Sequence, residues 1–277
     1  MAEPTRLRRQ LGTELRTART LAKLTQYDVA NAVEPSQATI ARIEQGAALP
    51  SRDTVARWLA ACAAPEEVRD RVLALTAAAH AETWSWDEPL GGDVTHLQGI
   101  ARDREEAAQL VRGYHFQWIP GLLQTAGYAR AMLPLVDPTH QMDTGAAAVA
   151  ARMQRQQILY EPGRRFEFLI EEGALRWAPG EGVMTGQRGH LLALADLDSV
   201  EVRVLPADRV GAPGWNGFII WTNKDGDTYV TAEFLHGGST VTETDMVVRY
   251  EELWKHLWSS ALAGPDAAEA IRKLSAG

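Results

Sequence analysis

The chain has 277 residues, 45% apolar and 23% charged, with a formal charge of −8; this is the balance of an ordinary globular protein, and the length predicts two domains. A single cysteine, Cys62, excludes an internal disulfide and a cysteine-only metal cluster, so the reducing cytoplasm is the default compartment. No apolar run approaches the roughly 18 residues of a bilayer span, and the basic start MAEPTRLRRQLGTELR has no apolar stretch behind it, so neither a membrane span nor a secretory signal is expected.

The first helical pattern joins Leu7, Leu11, Leu15, Ala18, Leu21 and Ala22, with Arg8, Arg9, Arg16 and Arg19 between them. Thr25 reads as the N-cap of a second, short helix burying Val29, Ala30 and Val33, with Asp28 completing a capping box weaker than the Glu form. Pro35 and Ser36 mark the next boundary. Ser36 caps a third helix that buries Ile40 and Ile43 and ends at Gly46. Ser51 caps a fourth, carrying Val55, Trp58 and Leu59, and Pro65 opens a fifth that runs to about His80. An all-α domain of about five helices is thus expected over 1–81. Residues 82–99, with Pro89 and Gly91-Gly92, read as a linker. Over 100–277, helical patterns at 121–133, 141–160, 182–195, 243–262 and 265–274 alternate with extended runs at 165–170, 200–205, 218–222 and 228–235. The expectation is an α+β domain with a mostly antiparallel sheet.

Charge is uneven along the chain. Residues 1–63 hold nine Lys/Arg against six Asp/Glu, and the remainder holds 19 against 30. A basic module on an acidic body suits phosphate at one end and another partner at the other.

The stretch LTQYDVANAVEPSQATIARIEQG reads as two short helices joined by a tight turn, which can present the second helix to a DNA major groove. Val29, Ala30, Val33, Ile40 and Ile43 point inward, leaving Gln26, Ser36, Gln37, Thr39 and Arg42 on the outer face. LTQYDVA, then SQATIARIEQG, then LPSRDTVARWLAA, resembles the Xre/Cro/phage-repressor type of helix-turn-helix. That resemblance implies a recognition helix over about 36–45. Gln26 would grip a phosphate, Gln37 and Arg42 would face base edges, and Ser36, Thr39 and Arg52 would contact the DNA backbone. It also implies an internal ion pair between Arg19 and Glu44. Two positions depart from it: Glu34 precedes Pro35 where many relatives have Gly, and Lys23 stands where the first helix often ends in Gly. A residue before proline is pushed toward extended backbone, which bears on the turn between the helices.

A second resemblance rests on WIPGLLQTAGYARAML (118–133), ARMQRQQILY (151–160), FEFLIEEGALRW (166–177), VEVRVLP (200–206) and GFIIW (217–221). These are similar to a C-terminal domain of actinobacterial Xre-type regulators. That domain is antitoxin-like and often accompanied by a small protein encoded nearby. It implies transcription control by that partner. Eight of the nine tryptophans lie outside the first domain, and Trp118, Trp177, Trp215 and Trp221 are the candidate partner or ligand contacts, with core packing as the alternative. Trp254 and Trp258, spaced i and i+4, read equally as core or dimer seam.

The seven histidines are scattered without metal-ligand spacing, and Gly180, Gly182 and Gly186 miss a dinucleotide fingerprint by a residue. No catalytic site, cofactor or metal is expected. The sequence therefore points to a homodimeric, operator-binding regulator on the nucleoid, with no membrane partner. Its C-terminal domain answers either to a small protein or, alternatively, to a small-molecule ligand.

Overall fold

The computed structural model describes residues 6–33, 35–80, 83–85, 94–136, 145–208, 216–234 and 237–274. The chain divides into two compact units. One comprises Met1–Thr83 with Ser239–Val247, and the other Trp84–Gly238 with Val248–Gly277.

In the first unit the expected helices form as α1 (Arg6–Leu21), α2 (Gln26–Val33), α3 (Gln37–Glu44), α4 (Arg52–Ala61) and α5 (Glu66–His80). Their apolar stripes meet in one cluster: Leu11, Leu15, Val29, Val33, Ile40, Ile43, Val55, Trp58 and Leu59 are all at most 2% exposed. Each such side chain stabilises the unit by about 1.5–3 kcal/mol relative to exposure. The caps are those the sequence implies. Thr25 and Asp28 close a reciprocal box, with the Thr25 amide donating to Asp28 at 2.8 Å and the Asp28 amide to Thr25 Oγ1 at 3.2 Å. Ser36 and Ser51 accept from the amides of Thr39 and Thr54. Lys23, just past α1, adopts φ 59°, the left-handed conformation that Gly would supply without strain. Within this unit His80 bridges the Pro50 carbonyl and the Thr242 hydroxyl.

The second unit holds α6 (Val94–Ala107), β2 (Ala108–His115), α7 (Ala126–Val136), α8 (Ala146–Arg155), β3 (Arg165–Glu171), α9 (Glu172–Arg176), α10 (Val183–Leu194), β4 (Val200–Leu205), β5 (Phe218–Asn223), β6 (Thr228–Phe234) and α12 (Gly264–Lys273), while β7 (Gly237–Val241) and α11 (Thr244–Ser260) have residues in both units. The short β1 (Thr83–Ser85) and the start of α6 fall inside the stretch read as a linker. The strand order is β1-β7-β6-β5-β2-β3-β4.

The expectation of a mostly antiparallel sheet is corrected. Strands β2, β3 and β4 are parallel, while β2/β5 and β5/β6 are antiparallel, so the sheet is mixed. Its cause is the helical connections. α7 and α8 lie between β2 and β3, and α9 and α10 between β3 and β4, and each returns the chain to the end it left. Strands β5 and β6 are joined by a tight turn at Asn223–Asp227, where Gly226 has φ 92°.

One sheet face carries Val111, Phe166, Phe168, Ile170, Val200, Val202, Val204 and Trp221 into a core shared with α7, α10 and α12. The other packs on α11, where Tyr250 meets Phe218 edge-on at 5.1 Å and Arg112 pairs with Glu251 at 2.8 Å. The PGLLQT stretch is a folding device. Gln124, 1% exposed, donates to the Ile119 carbonyl at 2.7 Å and accepts from Arg152 at 2.8 Å, and Thr125 caps α7 by accepting from the Tyr128 amide.

Candidate nucleic-acid interface

Eight residues of α3 divide between two jobs. Ile40 and Ile43 are buried, and the Glu44 side chain is 4% exposed. Gln37, Ala38 and Arg42, with Gln45 at the C-cap, are exposed. A period of 3.6 residues puts these outward positions on one side of the helix.

The inward side is fixed to α1 by the ion pair that the resemblance implied. Arg19 Nε and Nη2 donate to the two oxygens of Glu44 at 2.5 and 3.0 Å, and Arg19 Nη1 donates to the Leu24 carbonyl at 2.9 Å. Burial by itself would raise the Glu44 carboxyl, but the hydrogen bonds from Arg19 and Gln26 and the nearby charges of Arg19 and Arg16 bring it below the usual carboxylate range. Gly12 lets the two helices approach this closely. A Cβ there would lie 2.6 Å from the Ile43 carbonyl oxygen and 2.7 Å from that of Glu44.

The six residues expected at DNA fall into two sets. Gln26 donates to Glu44 Oε2 at 2.9 Å, so its amide belongs to the framework that orients α3. Ser36 and Thr39 pair hydroxyl to hydroxyl at 3.0 Å in the helix cap. Gln37, Arg42 and Arg52 are exposed, and their side chains make no hydrogen bond or ion pair among the described residues. Arg52 opens α4, where free amides and the helix dipole already favour an anion. Ala38 and Gln45 share the outward side of α3 and were not singled out from sequence, although the same helical period assigns them there. Glu34, the departure at the turn, lies outside the described residues.

The candidate aromatic contacts of the second unit differ in burial. Trp221 is 4% exposed, stacks on Tyr229 with centroids 6.2 Å apart and donates to Thr231 at 2.9 Å, so no face remains for a partner. Trp118 packs half-buried against the core, and Trp177 is 37% exposed with one edge on Tyr128. Trp215 lies outside the described residues. Trp254 and Trp258 stack at 4.9 Å, with the Arg203 guanidinium 4.2 Å over the Trp258 ring. Among the described residues no group of three or more His, Cys, Asp or Glu side chains stands together as a metal site would need, and no helix is long and apolar enough to cross a membrane.

Comparison with known families gives two matches. Residues 10–72 match a helix-turn-helix domain, which supports a DNA-binding regulator, and residues 100–273 match a domain of unknown function, DUF5753. Comparison with curated proteins gives no match. With the second match covering more than half of its length, the chain belongs to the DUF5753 family and carries a helix-turn-helix domain ahead of that domain.

Proposed function

We propose that this chain is a sequence-specific transcription regulator that reads its operator with Gln37 and Arg42 of α3 and works as a homodimer. Its C-terminal domain takes the controlling signal from a small protein partner, as the antitoxin-like resemblance suggests. The role is one of binding, with no catalytic step. The observation that carries the DNA reading is the division of α3. Its inner side is locked by Arg19, Glu44 and Gln26, while two long hydrogen-bonding side chains stand outward without an internal partner. A single module of this size touches few base pairs, which favours two copies on half-sites about a helical turn apart.

The test is a binding titration against duplexes selected from a randomised pool and against scrambled controls, at several salt concentrations. Arg42→Ala should cost about 1–3 kcal/mol per half-site on selected DNA and relax preference at one base pair. Arg52→Ala should weaken binding to all sequences alike and lower the salt slope by about 1 per half-site. Equal loss on both DNAs for Arg42→Ala would make it a phosphate contact and defeat the base-reading assignment.

A further inference from the structure

Two loops of the second unit meet at the entry ends of β3 and β4. The first leaves the short helical turn Gln156–Tyr160 and runs through Glu161, Pro162 and Gly163 to Arg164. The second is 197–199. The Ser199 hydroxyl donates to the Leu159 carbonyl at 2.5 Å, and the Phe166 amide donates to the Ser199 carbonyl at 2.8 Å, so the loops are tied to each other and to the sheet. Between them lies a groove of about 350 Å³, lined by Leu159 and Leu197 and by the side chains of Tyr160, Glu161 and Asp198. That volume is at the small end of the range for binding sites.

The side chains of this groove offer acceptors. Arg164, 8% exposed, spends every nitrogen: Nε on Glu161 at 2.7 Å, Nη1 on the carbonyls of Glu105 and Ala108, and Nη2 on that of Glu106 at 3.0 Å. The Ser199 proton is committed to Leu159. Glu161 gives one carboxylate oxygen to Arg164 and keeps the other. Asp198 is exposed and makes no hydrogen bond or ion pair among the described residues. The Tyr160 ring beside them is 60% exposed and stacks on no other ring among the described residues. An anion entering here would meet carboxylates and no free cation. A cation rich in donors would meet two acceptors and an aromatic face.

We propose that this groove receives an arginine side chain from a basic segment of a protein partner, the guanidinium lying on the Tyr160 ring and donating to Asp198 and to the free oxygen of Glu161. A planar guanidinium stacks on an aromatic face and forks to carboxylates at its edge, which an ammonium does not. The groove lies open at the surface, so its occupant is held in place by the chain that carries it. Residues 64–277 hold 30 Asp/Glu against 19 Lys/Arg, a field that draws a basic partner toward this domain. The proposal deepens the partner reading above and rests on it for the source of the arginine. The groove's capacity for a guanidinium does not depend on that reading, nor on DNA.

The experiment is an amide NMR titration of the full chain without DNA, using N-acetyl-arginine amide and its lysine and citrulline counterparts as probes. The arginine probe should shift the amides of 159–164 and 197–199 saturably, with a Kd on the order of 1 mM for a single side chain. The lysine probe should bind more weakly, and the neutral citrulline probe should leave these amides unmoved. Tyr160→Ala and Asp198→Asn, both at exposed positions, should each weaken the arginine probe by about two- to five-fold, while Tyr160→Phe keeps the stacking face and the affinity. Shifts that are absent or centred elsewhere, equal binding of the lysine or citrulline probe, or unchanged affinity in the Tyr160→Ala/Asp198→Asn double variant would each overturn the groove assignment. None of those results touches control by a protein partner through another face, so the two failures are distinguishable.

Discussion

Replacing Glu44 by alanine should unlock α3 from α1. The carboxylate is 4% exposed and accepts from Arg19 twice, at 2.5 and 3.0 Å, and from Gln26 at 2.9 Å. Its loss leaves the Arg19 guanidinium with the Leu24 carbonyl as its remaining acceptor. Removing one member of a buried pair costs about 3–5 kcal/mol, and because Arg19 is 14% exposed and can turn partly toward water, the lower end, about 3 kcal/mol, is expected. Arg19→Met should cost a similar amount by stranding the carboxylate. The double variant Arg19→Met/Glu44→Leu strands neither charge, so its cost should fall well short of the sum, giving a coupling of about 2–3 kcal/mol. The Glu44 carboxyl sits below its ordinary range in the folded protein, so this stabilisation is complete above that range and is lost as the pH falls through the folded value. Hydrogen exchange of the α1 and α3 amides in the full chain reads the effect locally. Single costs below about 1 kcal/mol that simply add would refute the lock between the two helices.

Three further outcomes follow from particular residues. Lys23 holds φ 59°, so Lys23→Gly should stabilise the first unit by about 0.5–1 kcal/mol in denaturant unfolding, and a loss of stability would contradict the strain. Gly12→Ala places a Cβ against two backbone carbonyl oxygens and should destabilise by about 1–3 kcal/mol, visible as a lower melting temperature; a neutral result would mean α1 and α3 separate without cost. Burial lowers the His115 imidazole to about 4, so the stability of the neutral ring is complete above pH 6.5 and declines toward pH 4 by about 1.4 kcal/mol per pH unit. His115→Gln should flatten that slope, and an unchanged slope in pH-resolved unfolding would reject the assignment.

The helices of the first unit were legible because their apolar stripes are regular and their caps are Ser, Thr and Asp. The Arg19–Glu44 pair was legible only through resemblance, since spacing alone does not pair residues 25 positions apart. In the second unit, β3, β4, β5 and β6 announced themselves as β-rich runs, but strand direction is a property of the connections, so the parallel β2-β3-β4 arrangement was hidden. Strand β2 was missed because AQLVRGYH carries an arginine and a glycine mid-strand. A Cβ on Gly113 would lie 2.7 Å from His115 Nε2, so any larger residue there would displace the His115 ring. Helix α6 was missed for the opposite reason, because the residues it buries include Gln98 and Glu105, types that ordinarily mark a solvated face. The candidate DNA-facing side chains of α2, α3 and its cap were chosen by which way they point. The structure adds which of them are already occupied, and Gln26, Ser36 and Thr39 are.

If α3 reads DNA as proposed, its division makes the reading surface replaceable. The contacts that hold the helix run through Ile40, Ile43 and Glu44, and the outward positions 37, 38, 42 and 45 contribute nothing to them. Target preference can therefore drift by single substitutions while the scaffold keeps its stability. Ala38 is exposed in that set, and under the proposed DNA reading a longer polar residue there would put a hydrogen-bonding head on the outward side where the present chain has a methyl group. Under the proposed reading, a change of operator would need substitutions only at exposed positions of α3, away from the contacts that hold it.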